Sequence, residues 1–314
     1  MNVLRSWAIA ALIGAGICFA TIHAWAQGSL TPPGAPAATM KTLQQVEPRI
    51  PITNVPVVIT SPGSYYFTGN LSFSGPVAKG VQVLANDVTL DLMGFSLASD
   101  NGFAVFGVEI RGATNVCVRN GSIDGCEAVT LTAARNCRIE NLRLATGSSS
   151  ATSGVDIGDR CFGNTVTDCA IDGSHNLGYG YGIAIFGTSS WNRVVNCIVN
   201  CGSSTTFTGV FLSGPNVSGN QVADCIVGGA GACGILVTNA VGNAIECNYV
   251  SGGFAFGIRS AGTAAKNVIV RNTCIGNSTN FSLLVTDSYG PIVSSSGPMS
   301  TSDNSVHPWA NFSR

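Results

Sequence analysis

The sequence predicts an all-β chain: a right-handed parallel β-helix of about nine coils, with an N-terminal cap and an irregular C-terminal tail. Three observations carry that prediction. A hexapeptide recurs at fixed spacing, since Asn164-Thr-Val-Thr-Asp-Cys169, Asn192-Arg-Val-Val-Asn-Cys197 and Asn220-Gln-Val-Ala-Asp-Cys225 are separated by two identical steps of 28 residues. A second marker, Gly-Val/Ile-x-Ile, precedes each copy. It extends from Gly80 through Gly107, Ala128, Gly154, Gly182, Gly209 and Gly234 to Gly257, in steps of 27, 21, 26, 28, 27, 25 and 23 residues. Between the markers, short Val- and Ile-rich runs alternate and are broken by Gly, Asn, Ser and Asp, and none holds a helical period. A unit of about 25 residues cannot bury its own apolar face, so neighbours must stack, each strand pairing with its equivalent one coil on.

Residues 1–26 read as a secretory signal peptide: Arg5, an apolar run from Trp7 to Ala20, and Ala24-Trp-Ala26 as the cleavage signal. The run is too short for a convincing bilayer span. The mature chain is therefore expected to be exported, to the periplasm, the cell surface or the medium, without a membrane span. Residues 27–56 read as a Pro-rich linker, Thr31-Pro-Pro-Gly-Ala-Pro36, and an N-terminal cap with a short helix from Met40 to Val46. A cap covers the apolar end and open edge that a first coil leaves exposed.

The β-helix is expected over residues 57–290, beginning with an atypical coil from Val57 through Tyr65, Tyr66 and Phe67 to Phe73 and turning regular at Val88. Register places Asn120, Asn141, Asp168, Asn196, Asp224 and Asn272 at one bend, because Asn and Asp tolerate left-handed backbone. The next position holds Cys169, Cys197 and Cys225, read as small buried side chains, and two residues later come Ile123, Leu144, Ile171, Val199 and Val227. Residues 291–314 lose the repeat and end in His307-Pro-Trp-Ala-Asn-Phe312. Two roles stay open for this tail: covering the last coil with Trp309 and Phe312, or attachment and oligomerisation.

Only 10% of the residues are charged and the formal net charge is -1. With no basic run, nothing in the chain suggests nucleic-acid binding. Of twelve cysteines one lies in the signal peptide, and the odd remainder leaves at least one outside any intrachain disulfide. Parallel Cβ vectors in stacked coils suit a disulfide poorly, so Cys169, Cys197 and Cys225 read as reduced core residues.

The Gly-Ile/Val-x-Ile and Asn-x-Val-x-Asn/Asp-Cys-x-Ile patterns resemble the β-helix repeats of the pectate-lyase-like superfamily over about residues 57–290. The Thr31–Pro36 segment, Met40-Lys-Thr-Leu, Val46-Glu-Pro-Arg49 and the Pro-Trp-Ala-Asn-Phe ending are similar to exported bacterial β-helix proteins without an assigned activity. The resemblance implies the fold and a broad set of functions: polysaccharide lyases, glycoside hydrolases, epimerases, adhesins and phage tailspikes. It supplies no catalytic set. The paired Asp, Gly-His-Gly and Arg-x-Lys of polygalacturonases are missing, the mature histidines being His175 and His307, and the calcium site and arginine motif of pectate lyases are not recognisable.

The candidate catalytic residues are Asp124 and Asp172, which share one repeat position in Ile-Asp-Gly turns, and His175. Two coils separate the aspartates by about 9.6 Å, against roughly 6.5 to 9.5 Å for the carboxyl pair of an inverting glycosidase. The ordinary role of such turn aspartates is to bond their own backbone. Tyr179 and Tyr181, with Phe207 in the following coil, are the candidate ligand-binding residues, an aromatic loop for sugar rings beside His175. The ordinary reading is a surface loop covering the coil edge. Glu109, Thr130, Asp156, Ala184, Phe211, Leu236 and Arg259 form an outward column, and calcium between Glu109 and Asp156 has no motif behind it. The expected function is an exported β-helix binding a polysaccharide or other surface component without catalysis. The alternatives are a lyase or hydrolase with a divergent site, and a structural or adhesive envelope protein.

Overall fold

Alternating Val and Ile runs become strands on three faces of each coil, and the computed structural model describes residues 47–75, 79–99, 106–147, 152–175, 178–294 and 303–314. No helix occurs among the described residues, every strand pairing there is parallel, and the strands before the tail pair with their equivalents in the next coil. The fold is the right-handed parallel β-helix, with about eight turns where about nine were expected. The signal peptide, the Pro-rich linker and the expected cap helix lie outside the described residues. Arg49–Arg314 forms one unit.

The Gly-Val/Ile-x-Ile marker starts the first face, as in Gly180–Phe186, which pairs Ile183 with Val210 in Thr208–Ser213. Its glycine is a packing requirement. A Cβ at Gly182 would stand 2.3 Å from Val199 Cγ1 and 2.5 Å from the Gly209 carbonyl oxygen, so no larger residue fits without displacing the neighbouring coil. Arg193–Val195 and Ile198–Asn200 supply the second and third faces, joined by a bend at Asn196 with φ 53°. Inward Val194, Val199, Val210 and Ile183 are fully buried and belong to one continuous apolar core.

The left-handed bend column is occupied as expected at Asn120, Asn141, Asp168, Asn196 and Asp224, then by Cys247 and Arg271. Asn272, expected in that column, instead takes the next, interior position. There Cys169, Cys197 and Cys225 give way to Asn248, Asn272 and Asn311, each asparagine carbonyl accepting from the preceding rung: Cys225 N at 3.1 Å, Asn248 N at 3.0 Å and Asn272 N at 3.0 Å. The polar side chain wins this interior place because the ladder satisfies both its amide and a backbone N–H. A second buried ladder runs through Asn164, Asn192, Asn220, Asn243 and Asn267 to Asp287.

Both ends carry more strand than the sequence reading assigned. Ile50–Ile52, within the expected cap segment, pairs with Tyr65–Phe67. In the tail, Asn311–Ser313 inserts out of chain order between Thr273–Ile275 and Ile292–Ser294. The tail thereby adds a strand within the stack, with Phe312 opposite Thr273, and Asn311 extends the interior ladder.

The eleven described cysteines are all free thiols, nine of them buried. Cys169, Cys197 and Cys225 each donate to the carbonyl two residues earlier, at 3.3, 3.3 and 3.2 Å.

Candidate functional site

Alternation on the third face turns Ile123, Leu144, Ile171 and Val199 inward and leaves two columns facing out. Register aligns Ser122, Arg143, Ala170 and Ile198 in one column, and Asp124, Ala145, Asp172 and Asn200 in the other. Between them lies an open groove of about 450 Å³, lined by Asp124, Arg143, Ala145, Ala170, Asp172 and Ile198 among others. The two aspartates picked from their repeat position thus face one groove, with Ala145 between them, two coils and about 9.6 Å apart along the backbone. Asp172 keeps its ordinary role as well, its Oδ1 accepting from Ser174 N at 2.9 Å and from Asn200 Nδ2 at 3.2 Å. Both bonds hold the carboxylate in place at the groove wall.

The aromatic loop is not one site. His175 is exposed and does not line the groove. Tyr179 stands 70% exposed, whereas Tyr181 is half-buried on the first face, its ring stacked on Phe211 at 4.4 Å with 6° between planes. Phe207, expected as a ligand contact, is a core residue with no exposed surface. Gly173 explains why: its missing side chain opens an interior space that the Phe207 ring fills, and a Cβ there would meet Phe207 Cζ at 2.4 Å.

The first face carries two acidic sets. Glu109, 2% exposed, receives Lys79 Nζ and Gln82 Nε2 at 2.5 Å and Arg111 at 3.3 Å. Burial pushes its carboxyl up, but the bonds from Lys79 and Gln82 and the charges of Lys79 and Arg111 prevail and hold it below the ordinary value. One coil further, Thr130 Oγ1 donates to Glu127 Oε1 at 2.7 Å beside Asp156. Burial, and then the charge of Glu127, pushes the Asp156 carboxyl well above its ordinary value. Asp156 Oδ1 is out of solvent and without a hydrogen-bond partner, and burial and the Asp156 charge also raise the Tyr181 hydroxyl. Among the described residues, no group of three or more His, Cys, Asp or Glu side chains is placed to hold a metal ion.

Arg143 and Glu127 were missed in the sequence. Arg143 was findable, because it precedes the inward Leu144 just as Ser122, Ala170 and Ile198 precede theirs, and the same alignment that paired the aspartates also yields this column. Glu127 gave no signal. It lies on the continuous strand Cys117–Thr132, which runs from the second face into the first without the loop that marks the start of other coils.

No family model matches this chain, and no curated protein matches it. Among solved structures, the chain is similar to DFA-IIIase from Arthrobacter chlorophenolicus A6 without its lid, with a TM-score of 0.55 at 13% identity over 83% of this chain and 70% of that one. It is also similar to the catalytic domain of a GH87 alpha-1,3-glucanase in complex with tetrasaccharides, TM-score 0.54 at 12% identity, over 84% of this chain and 59% of that one. At these identities the likeness is one of fold.

Proposed function

We propose that this chain is an exported β-helix protein that binds a glycan in the third-face groove. The observation that carries the reading is the composition of that groove: apolar Ala145, Ala170 and Ile198, with Asp124 and Asp172 in the column of Ala145 and Arg143 in the column of Ala170 and Ile198. A sugar ring presents C–H faces and hydroxyl edges. A site that orients it needs apolar floor and a few polar groups fixed on a rigid scaffold, and strand-borne side chains are so fixed. Two β-helix neighbours with the same fold are a DFA-IIIase and a glucanase seen with tetrasaccharides. Their chemistry supports a carbohydrate ligand here.

The test is a glycan panel against the purified mature chain, read by calorimetry. Saturable binding weakened about tenfold or more by Asp172→Asn or Arg143→Ala, roughly the 1.4 kcal/mol of one oriented hydrogen bond, is the expected result. Tyr179→Ala reports whether the loop after Asp172 adds to the site. Binding indifferent to both groove substitutions would move the site elsewhere.

A second reading, hydrolysis with inversion, is favoured by the spacing of Asp124 and Asp172 across Ala145. New reducing ends released from a bound polymer, and lost in both Asp124→Asn and Asp172→Asn, would establish it.

A further inference from the structure

We infer that the ligand of the groove is an uncharged, extended glycan lying parallel to the solenoid axis, about one sugar per coil; this deepens the glycan-binding reading and rests on it. The groove does not end at Ile198. A second depression of about 280 Å³ shares Ala170 and Ile198 with it and continues along Asp168, Asn196, Asp224 and Ile226. The floor is one register column, Ala170, Ile198, Ile226 and Tyr249, on four successive coils. Its large members point into solvent, Ile198 at 53%, Ile226 at 49% and Tyr249 at 41% exposure. Single exposed apolar residues are ordinary, but an unbroken row of them is the mark of a contact surface.

The walls decide what kind of surface. On one side run Asp168, Asn196 and Asp224, set by the left-handed bend, and on the other Asp172 and Asn200. Both walls are tied along the axis: Asn196 Nδ2 donates to Asp168 and Asn200 Nδ2 donates to Asp172 Oδ1 at 3.2 Å. The rungs of Ala170, Ile198 and Ile226 therefore each offer an amide or carboxylate oxygen, from Asp168 and Asp172, Asn196 and Asn200, and Asp224, at the coil spacing of about 4.8 Å, close to the advance of one pyranose in an extended chain.

Charge sets the class. Asp124, Asp168, Asp172 and Asp224 face the furrow against the single guanidinium of Arg143. A polyuronate would bring a carboxylate to every rung of an already acidic surface, so like-charge repulsion works against it. Neutral hexoses linked equatorially meet the walls with hydroxyls and the Ile and Tyr floor with flat C–H faces. From Asp124 to the Tyr249 coil is five steps, about 24 Å.

The experiment titrates the mature chain with cello- and manno-oligosaccharides from dimer to heptamer, and with oligogalacturonates of matched length, at low and high salt. Affinity for the neutral series is expected to climb with length and level off near the hexamer, with the acidic series at least about tenfold weaker. Tyr249→Ala and Ile226→Asp, both surface changes, should weaken the hexamer several-fold and leave the trimer unchanged, because short oligomers occupy the Asp124–Asp172 end. Equal or tighter binding of oligogalacturonate, or a hexamer indifferent to both substitutions, overturns the furrow while leaving glycan binding at the groove intact. Absence of binding to any oligomer overturns both.

Discussion

Asn267 donates twice to one oxygen of Asp287, from its backbone N at 3.1 Å and its Nδ2 at 2.8 Å, and this pair ends the buried ladder that starts at Asn164. The last rung differs from the others in being a carboxylate, and Asp287 Oδ2 is buried without a partner. Asp287→Ala removes the acceptor from two buried donors and should cost about 1–3 kcal/mol in urea unfolding. Asp287→Asn keeps the accepting carbonyl and should retain most of that stability. Equal losses in the two variants would show that the ladder's end is not held by this hydrogen bond.

The tail strand makes a comparable contribution. Asn311 accepts from Asn272 N at 3.0 Å and donates to Ile269 O at 3.0 Å and Gly290 O at 3.2 Å, all in the interior. Asn311→Ala should therefore release more than the three-residue strand itself. Hydrogen exchange is expected to accelerate at Asn272, Phe312 and the Thr273–Ile275 strand, with coils before Gly234 unaffected because solenoid contacts reach only neighbouring coils. Uniform acceleration along the rod would contradict that local accounting.

These two ladders also show where the sequence was legible. The Asn164, Asn192, Asn220 alignment was visible as a repeat, and the Gly-Val/Ile-x-Ile marker gave the first face, because a column with so little room for a Cβ writes glycine in nearly every coil, Ala128 being the exception among those aligned. Columns drift where coils change length. The step from Asp224 to Arg271 passes through shorter coils, so Asn272 was placed on the bend although it lies one residue inside it. The Asp124 and Asp172 pair was readable because both sit in the same turn, whereas Phe207 was misjudged since nothing local distinguishes an aromatic entering the interior above Gly173 from one on a loop. Tail pairing depends on strands that are remote in sequence, and no local pattern encodes it.

Thiol chemistry separates surface from core. Cys117 and Cys247 are the half-buried members of the eleven described cysteines. Burial, then the Glu140 charge, pushes Cys117 up to about 11, so little thiolate forms there at pH 8. Burial pushes the fully enclosed Cys126 up to about 12. Alkylation of the native protein at pH 8 should label Cys247 first, Cys117 slowly and the buried nine only on unfolding, when all eleven react without reductant. A shortfall in the unfolded sample would reveal disulfides and overturn the reduced-core arrangement.

The Glu127 and Asp156 pair makes stability depend on pH in the direction opposite to an ordinary ion-paired carboxylate. Asp156 is raised above its ordinary 3.8, by burial first and by Glu127 second, so the folded chain keeps a proton that the unfolded chain releases. The native state then binds more protons than the unfolded state, and stability falls as pH rises. The site's contribution is complete below the unfolded value and is lost as pH climbs through the raised native one. Asp156→Asn and Glu127→Gln should each raise Tm at pH 7 relative to the parent, with the gain shrinking toward pH 4. The double variant should gain little beyond either one, since the first substitution already removes the repulsion. Glu109 provides the internal contrast: its lowered carboxyl is held by Lys79 and Gln82, so Glu109→Gln should lower Tm at pH 7, with the loss fading as the pH falls toward that carboxyl's own titration. Thermal melts of the variants and the parent across pH 4 to 8 decide the matter, and a Tm difference for Asp156→Asn that does not change with pH would mean that the Asp156 carboxyl is not raised in the native state.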